Sequence, residues 1–188
     1  MKARNLVLGV MIMWSGHVLF AQKAEVNPQE SSIEWTGKKI GSKHTGTIQL
    51  KSGTFEIKDD RIVSGKFVVD MTTIRNTDLK EDSRERLEGH LKSDDFFGVE
   101  NYPTATFVVT QSSTFNNGKA ILTGEFTIKD KTESISFEVH RSGNTYTAEI
   151  EIDRSKFDVR YGSDTFFDNL GDRAIDNMFI LGVELNVS

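Results

Sequence analysis

Residues Lys119–Asp153, KAILTGEFTIKDKTESISFEVHRSGNTYTAEIEID, decide the architecture. Ala120, Leu122, Gly124, Phe126 and Ile128 alternate with Ile121, Thr123, Glu125, Thr127 and Lys129. Ile135, Phe137 and Val139 alternate with Ser134, Ser136, Glu138 and His140, and Ala148, Ile150 and Ile152 with Glu149, Glu151 and Asp153. A period of two places each apolar set on one face of a strand and each polar set on the other. The links, Lys129-Asp130-Lys131-Thr132 and Ser142-Gly143-Asn144, are short and rich in turn formers. An antiparallel meander follows, wet outside and apolar inside.

The same pattern extends towards the N-terminus. Lys23 to Ser32 reads as a polar leader to the domain. Ile33 and Trp35 begin a strand that runs towards Ile40, and Gly41-Ser42-Lys43 turns it. Ile48 and Leu50 share a face in Thr45–Leu50, Ser52-Gly53 reads as a turn, and Phe55 and Ile57 point inward in Thr54–Lys58. Asp59-Asp60 is a tight turn into Arg61–Met71, where Phe67, Val69 and Met71 repeat the alternation. From Thr72 to Ser93 the chain is charged and poor in β-branched residues. The spacing of Leu87 and Leu91 predicts a helix over about 80–92, capped by Asp82 or Ser83. Its narrow apolar stripe suits a helix laid over a barrel end, with His90 facing solvent or capping.

Beyond the helix, Phe96, Phe97 and Val99 form an apolar knot before Tyr102-Pro103. Ala105, Phe107 and Val109 open the next strand. After Asp153 comes a long connection, 154–177, whose aromatics have no clean period; it reads as a covering loop with one or two helical turns. Phe179, Leu181, Val183, Leu185 and Val187 then line one face of a last strand. The sum is eight or nine strands, one helix and one long loop. Closure removes exposed edges, which favours a barrel, although alternation alone leaves a sandwich open. Thirteen Phe residues would serve a solid core or an apolar cavity equally, and about eight strands is the size at which a barrel can hold one small ligand.

Composition narrows the function classes. Residues 1–21 read as a secretory signal, with Lys2 and Arg4 ahead of the apolar run Leu6–Met13 and Ala21 before the cut. Residues 22–188 then form one domain destined for the periplasm or for secretion. The sequence has no Cys, so disulfides, thiolate chemistry and a lipoprotein anchor are all excluded, and no later segment is apolar enough to span a bilayer as a helix. Loss of Lys2 and Arg4 takes the formal charge from -5 to -7. Nucleic acid is therefore not an expected partner, since its binding needs clustered positive charge. A homodimer is compatible with this composition.

An ordered series of short motifs runs between the strands. It comprises Ile33-x-Trp35, His44-Thr45-Gly46, Gly65-x-Phe67 with Asp70, and Leu91-x-x-x-Asp95-Phe96-Phe97. Tyr102-Pro103-x-x-x-Phe107, Leu122-x-Gly124-x-Phe126-Thr127-Ile128 before Lys131-Thr132, and Asp153-Arg154-x-x-Phe157 complete it. Over about residues 27–187 this resembles the YceI-like family of lipid- or polyisoprenoid-binding domains. The resemblance implies an all-β, lipocalin-like, extended eight-stranded antiparallel barrel with a helix over one end. It also implies an interior that holds an isoprenoid, quinone or other lipid, and no catalytic cofactor. Lys131 and Glu133 make the turn after Ile128 more polar than the family pattern, and residues 160–172 are unusually acidic and aromatic.

The expected lining is Trp35, Ile48 and Phe55 from the early strands, Phe67 and Val69 next, then Phe107, Val109, Leu122 and Phe126. Phe137, Ile150, Phe179, Leu181 and Val183 complete it. The expected mouth and lid are His44, Arg75, Leu87, Leu91, Phe96, Phe97, Arg154 and Phe157. Because a closed wall favours uptake through one end, the helix or the 154–177 loop would have to move. Histidines 44, 90 and 140 lack close metal-ligand spacing, and Asp164, Asp168, Asp172 and Asp176 do not have the spacing of a helix-loop-helix calcium site. No nucleophile elbow or phosphate-cradling glycine loop is present. A non-enzymatic binding barrel is the leading reading. The alternatives are a solid-core structural or interaction protein of the cell envelope, and a lipid-modifying enzyme.

Overall fold

A computed structural model describes residues 21–188. All of the expected secretory signal except Ala21 lies outside them. Nine strands form one antiparallel sheet: β1 (Gln22–Glu25), β2 (Ser32–Lys39), β3 (Ser42–Lys58), β4 (Arg61–Asn76), β5 (Thr104–Ser112), β6 (Lys119–Ile128), β7 (Lys131–Ser142), β8 (Thr145–Asp153) and β9 (Ile175–Asn186). Each of β2 to β9 pairs with its sequence neighbours, and β9 returns to β2 through Ile33↔Val183 and Trp35↔Leu181. The result is a closed eight-stranded up-and-down barrel, with β1 added outside the ring on the far half of β3 (Ala24↔Phe55). Closure gives every barrel strand a partner on each side.

Three early expectations are corrected. Residues 22–25 are a short strand rather than a polar leader. Ser52-Gly53 is no turn: β3 runs unbroken through it with a register shift at Leu50/Ser52, which bends the strand while Gly53 stays opposite Phe67. β4 continues past Met71 to Asn76 across a register shift between Thr47 and Gln49 of β3, which turns Ile74 inward although it lies out of step with Met71. The two-residue hairpins at Asp59-Asp60 and Lys129-Asp130 place both central residues at positive φ, the geometry whose twist matches that of paired strands.

Hairpin connections in such a ring alternate between its two ends. The β4–β5 and β8–β9 connections, the two long ones, therefore share an end. The first contains the helix α1 (Glu81–Lys92); it starts after Lys80 with no side-chain cap, so neither Asp82 nor Ser83 takes the capping position. Glu81 and Asp82 instead lie in the first turn, where acidic side chains favour the helix dipole. The second begins with a 3-10 turn, Arg154–Phe157, and has another at Gly171–Arg173. At the opposite end the barrel is plugged by aromatics. Tyr146 packs edge-on to Phe55 at 5.0 Å and near Phe115 at 6.2 Å, and Arg141 lies 4.3 Å over the Phe115 ring while donating to Asp60 Oδ1 at 2.5 Å.

Candidate functional site: an apolar barrel interior under a two-piece cap

The inward rows do not meet across the whole barrel. Two cavities of about 110 and 90 Å³ lie end to end within it. The upper one lies beneath the cap, between Trp35, Ile48, Met71, Leu91, Phe97 and Phe179; the lower one extends towards Phe55, Leu122, Phe137 and Tyr146. Ile33, Val69, Phe126 and Leu181 border both, so the two are compartments of one apolar space divided by a single layer of side chains. Packing around this space is uneven. Ala105, Phe107 and Val109 of β5, and Ala120, Leu122, Phe126 and Ile128 of β6, are buried. Ile135 and Phe137 of β7, Ile150 of β8, and Phe179, Leu181 and Val183 of β9 are only partly so. Inward apolar groups that keep accessible surface mark volume that the protein does not fill.

The cap is held by polar contacts to backbone carbonyls. Arg154, only 2% exposed, donates from Nε to Asp176 O (3.0 Å), from Nη1 to Val159 O and Tyr161 O (both 2.9 Å), and from Nη2 to Ile175 O (3.0 Å). Its guanidinium also lies 5.4 Å over the Phe96 ring, so the residue joins both covering segments above the upper cavity. Burial lowers its pKa, opposed by the nearby charges of Asp153, Asp176 and Asp164. Lys129, in the β6–β7 turn, donates to Phe96 O (2.9 Å) and Asp158 O (3.2 Å), linking the same two segments. His90 does not face solvent or cap the helix. Its ring packs 4.3 Å from Tyr161 and 5.7 Å from Phe96, and its Nε2 is buried without a hydrogen-bond partner. Phe166 and Phe167 of the 154–177 connection are 38% and 49% exposed.

At the rim, His44 meets Asp78 (Nδ1 to Oδ2, 3.0 Å), and Asp78 Oδ1 accepts from Thr45 N (2.9 Å) and Asn76 Nδ2 (2.5 Å). This clasp joins the start of β3 to the segment entering α1. Burial alone would raise the Asp78 carboxyl, but the hydrogen bonds from Thr45, His44 and Asn76 outweigh it and hold the pKa below the ordinary value. A depressed carboxylate pKa contributes stability that is present above its unfolded value, about 3.9, and is lost as pH falls through the folded value. Asp78→Ala is therefore expected to flatten the acid limb of melting temperature against pH below about pH 4. An unchanged limb would remove Asp78 from acid stability.

Of the expected lining, Trp35, Ile48 and Phe179 border the upper cavity. Phe55, Phe67, Phe107, Leu122, Phe137, Ile150 and Val183 border the lower, while Val69, Phe126 and Leu181 border both. Val109 is buried in the packed wall beside them. Leu91, Phe96, Phe97 and Arg154 reach the upper cavity, Leu87 packs behind them, and Phe157 is buried 6.0 Å from Phe126. His44 belongs to the rim clasp, and Arg75 projects outward from β4. Met71, Ile128, Val139 and Leu185 also border the space, and the alternation that marked their neighbours marks them too. Ile74 and Asp176 had no such signal, since one lies past the apparent end of β4 and the other among loop acids. Among the described residues, no group of three or more His, Asp or Glu is placed to hold a metal ion.

A closed antiparallel barrel with a capped end and an elongated apolar interior defines a lipocalin-like class of protein. The match at family level is specific: the chain belongs to the YceI-like domain family, matched over residues 25–186. A UPF0312 protein of Pseudomonas putida is 27% identical over 140 residues, covering 73% of this chain and 71% of that protein. Among solved structures, BcnA of Burkholderia cenocepacia superposes with a TM-score of 0.65 at 20% identity, covering 87% of this chain and 99% of that one. A polyisoprenoid binding domain from Saccharophagus degradans superposes at 0.59 and 13% identity, covering 88% and 97%. At these identities the structural likeness is one of fold.

Proposed function

We propose that this protein binds, and thereby sequesters or carries, a long apolar molecule of isoprenoid, quinone-like or fatty type, as a periplasmic or secreted protein without catalytic activity. What carries the reading is the apolar space along the barrel, two compartments separated only by the side-chain layer of Ile33, Val69, Phe126 and Leu181. The family membership and the polyisoprenoid binding of the Saccharophagus degradans domain point the same way. Each methylene taken from water contributes about 0.8 kcal/mol, so a tail of about ten carbons contributes roughly 8 kcal/mol before ordering costs. Few polar contacts are then needed. The polar groups at the upper cavity are already engaged: Arg154 on four carbonyls, and Asp176 Oδ1 accepting from Met178 N at 2.9 Å. That favours holding over chemistry. No helix among the described residues is long and apolar enough to cross a membrane.

Mass spectrometry of protein from its native host, under native and then denaturing conditions, is expected to show a mass difference equal to one long-chain lipid, which organic extraction then releases. Leu181→Trp, placed at the layer shared by both cavities, is expected to weaken binding of an added prenol by about tenfold or more while the fold tolerates the extra volume. A folded, empty native protein that also ignores added prenol would end the reading.

A further inference from the structure

The wall of the barrel is not uniformly paired. β7 runs alongside β6 for ten residue pairs, Ile128↔Lys131 to Lys119↔His140, but its ladder with β8 is limited to four, from Val139↔Ala148 to Ser142↔Thr145. Beyond Ala148, residues Glu149–Asp153 of β8 pair with β9, and Lys131–Glu138 of β7 pair with β6. The two strands therefore diverge over the half of the barrel nearer the cap, leaving a seam whose facing backbone edges carry no ladder. Ile135 and Phe137 on one side of the seam, and Ile150 and Ile152 on the other, all border the lower cavity. Three of these four keep accessible surface; Ile152, the one nearest the cap, is buried. At that upper end the 3-10 turn Arg154–Phe157 closes the divergence, with Phe157 buried against Phe126.

We propose that this β7–β8 seam is the portal through which the apolar ligand reaches the interior. The proposal rests on the binding reading above and replaces the expected route through the capped end. Opening the cap would break the four carbonyl bonds of Arg154 and the two of Lys129, all in or near the core. Widening the seam breaks no ladder bond, because β7 and β8 form none there, and requires only that Ile135, Phe137 and Ile150 turn aside. The cheaper motion sets the faster route. The portal is apolar within and flanked outside by Glu138, Glu149 and Glu151, so it suits a neutral chain molecule entering side-on.

The chain has no Cys, so introduced thiols can be cross-linked selectively. Extending the register of Val139↔Ala148 sets Ser136 opposite Glu151, both exposed. Ser136→Cys with Glu151→Cys, joined by a short cleavable bis-maleimide, staples the seam. His90→Cys with Tyr161→Cys, at rings 4.3 Å apart, staples the cap. Stopped-flow binding of Nile red, a neutral apolar fluorophore, reads the result, and each double variant before cross-linking and after linker cleavage is its own folding control. The seam staple is expected to slow association and dissociation by about tenfold or more with equilibrium affinity nearly unchanged, and the cap staple to leave both rates within about twofold. Unchanged rates with the seam stapled, or slowing by the cap staple alone, would overturn the portal while leaving the binding reading intact. An unstapled protein that takes up neither Nile red nor prenol would overturn both.

Discussion

Arg154→Met is expected to destabilise the protein by about 4 kcal/mol or more, which for a domain of this size lowers the melting temperature by roughly 8–16 °C. The substitution keeps much of the side-chain volume, so the loss reports hydrogen bonding more than a cavity. Four carbonyls, of Val159, Tyr161, Ile175 and Asp176, lose their donors at a place where water has little access. Each unsatisfied buried acceptor costs about 1–3 kcal/mol, and local rearrangement recovers part of the total. Arg154→Lys is expected to recover less than half, because an ammonium on a flexible stem cannot span four acceptors set around a planar fork. Although burial lowers the Arg154 pKa, the guanidinium keeps its proton throughout the working range, so the loss should not depend on pH near neutrality. Urea unfolding of both variants checks this. A methionine variant within about 1 kcal/mol of the parent would mean that the 154–176 segment holds itself in place without the arginine.

Gly46→Ala is the second large effect expected, about 3 kcal/mol, from the addition of one methyl group. A Cβ at Gly46 would sit 2.0 Å from Arg75 O and 2.4 and 2.5 Å from the indole carbons of Trp35. Gly46 lies opposite Trp35 on β2 and Asn76 on β4, so a strand on each side confines it. The indole lies across the bare glycine and borders the upper cavity, with Nε1 donating to Thr47 O at 3.3 Å. A methyl group there must push out either a backbone carbonyl of β4 or the tryptophan. Either movement loosens β2–β3–β4 at the capped end and shifts Trp35 towards solvent. Urea unfolding together with a red shift in tryptophan emission would register both consequences. Unaltered stability and emission would show that the indole can move aside at no cost.

These two residues show where sequence reading reaches its limit. The meander over 119–153 was legible because an alternating row states which way each side chain points, and β5 to β9 formed where the alternation placed them. The lining followed for the same reason: Phe55, Phe67, Phe107, Phe126 and Phe137 point inward from strands whose period is visible locally. Arg154 stood out only as part of a motif, since its partners are main-chain carbonyls, which carry no side-chain signature. Gly46 belongs to the His44-Thr45-Gly46 motif, but nothing near it in sequence shows that Trp35 and the Arg75 carbonyl close over it. The end of β4 lies beyond the visible alternation because Thr72, Thr73, Arg75 and Asn76 are polar, and it is the pairing of Arg75 and Asn76 with Thr47 and Gly46 of β3 that carries the strand on. His90 was placed outside because helical spacing gives a face but does not show that Tyr161 comes to cover it.

By itself the sequence determined the class of fold, the direction of each strand's apolar face, and the family, because these depend on spacing between near neighbours and on short ordered motifs. Tertiary structure alone decided whether the inward rows would meet, which carbonyls would surround a buried cation, and how far β7 would stay beside β8. Those outcomes depend on the closure of the whole ring, where twist and packing among residues distant in the chain determine how much interior volume is left unfilled and where the wall parts.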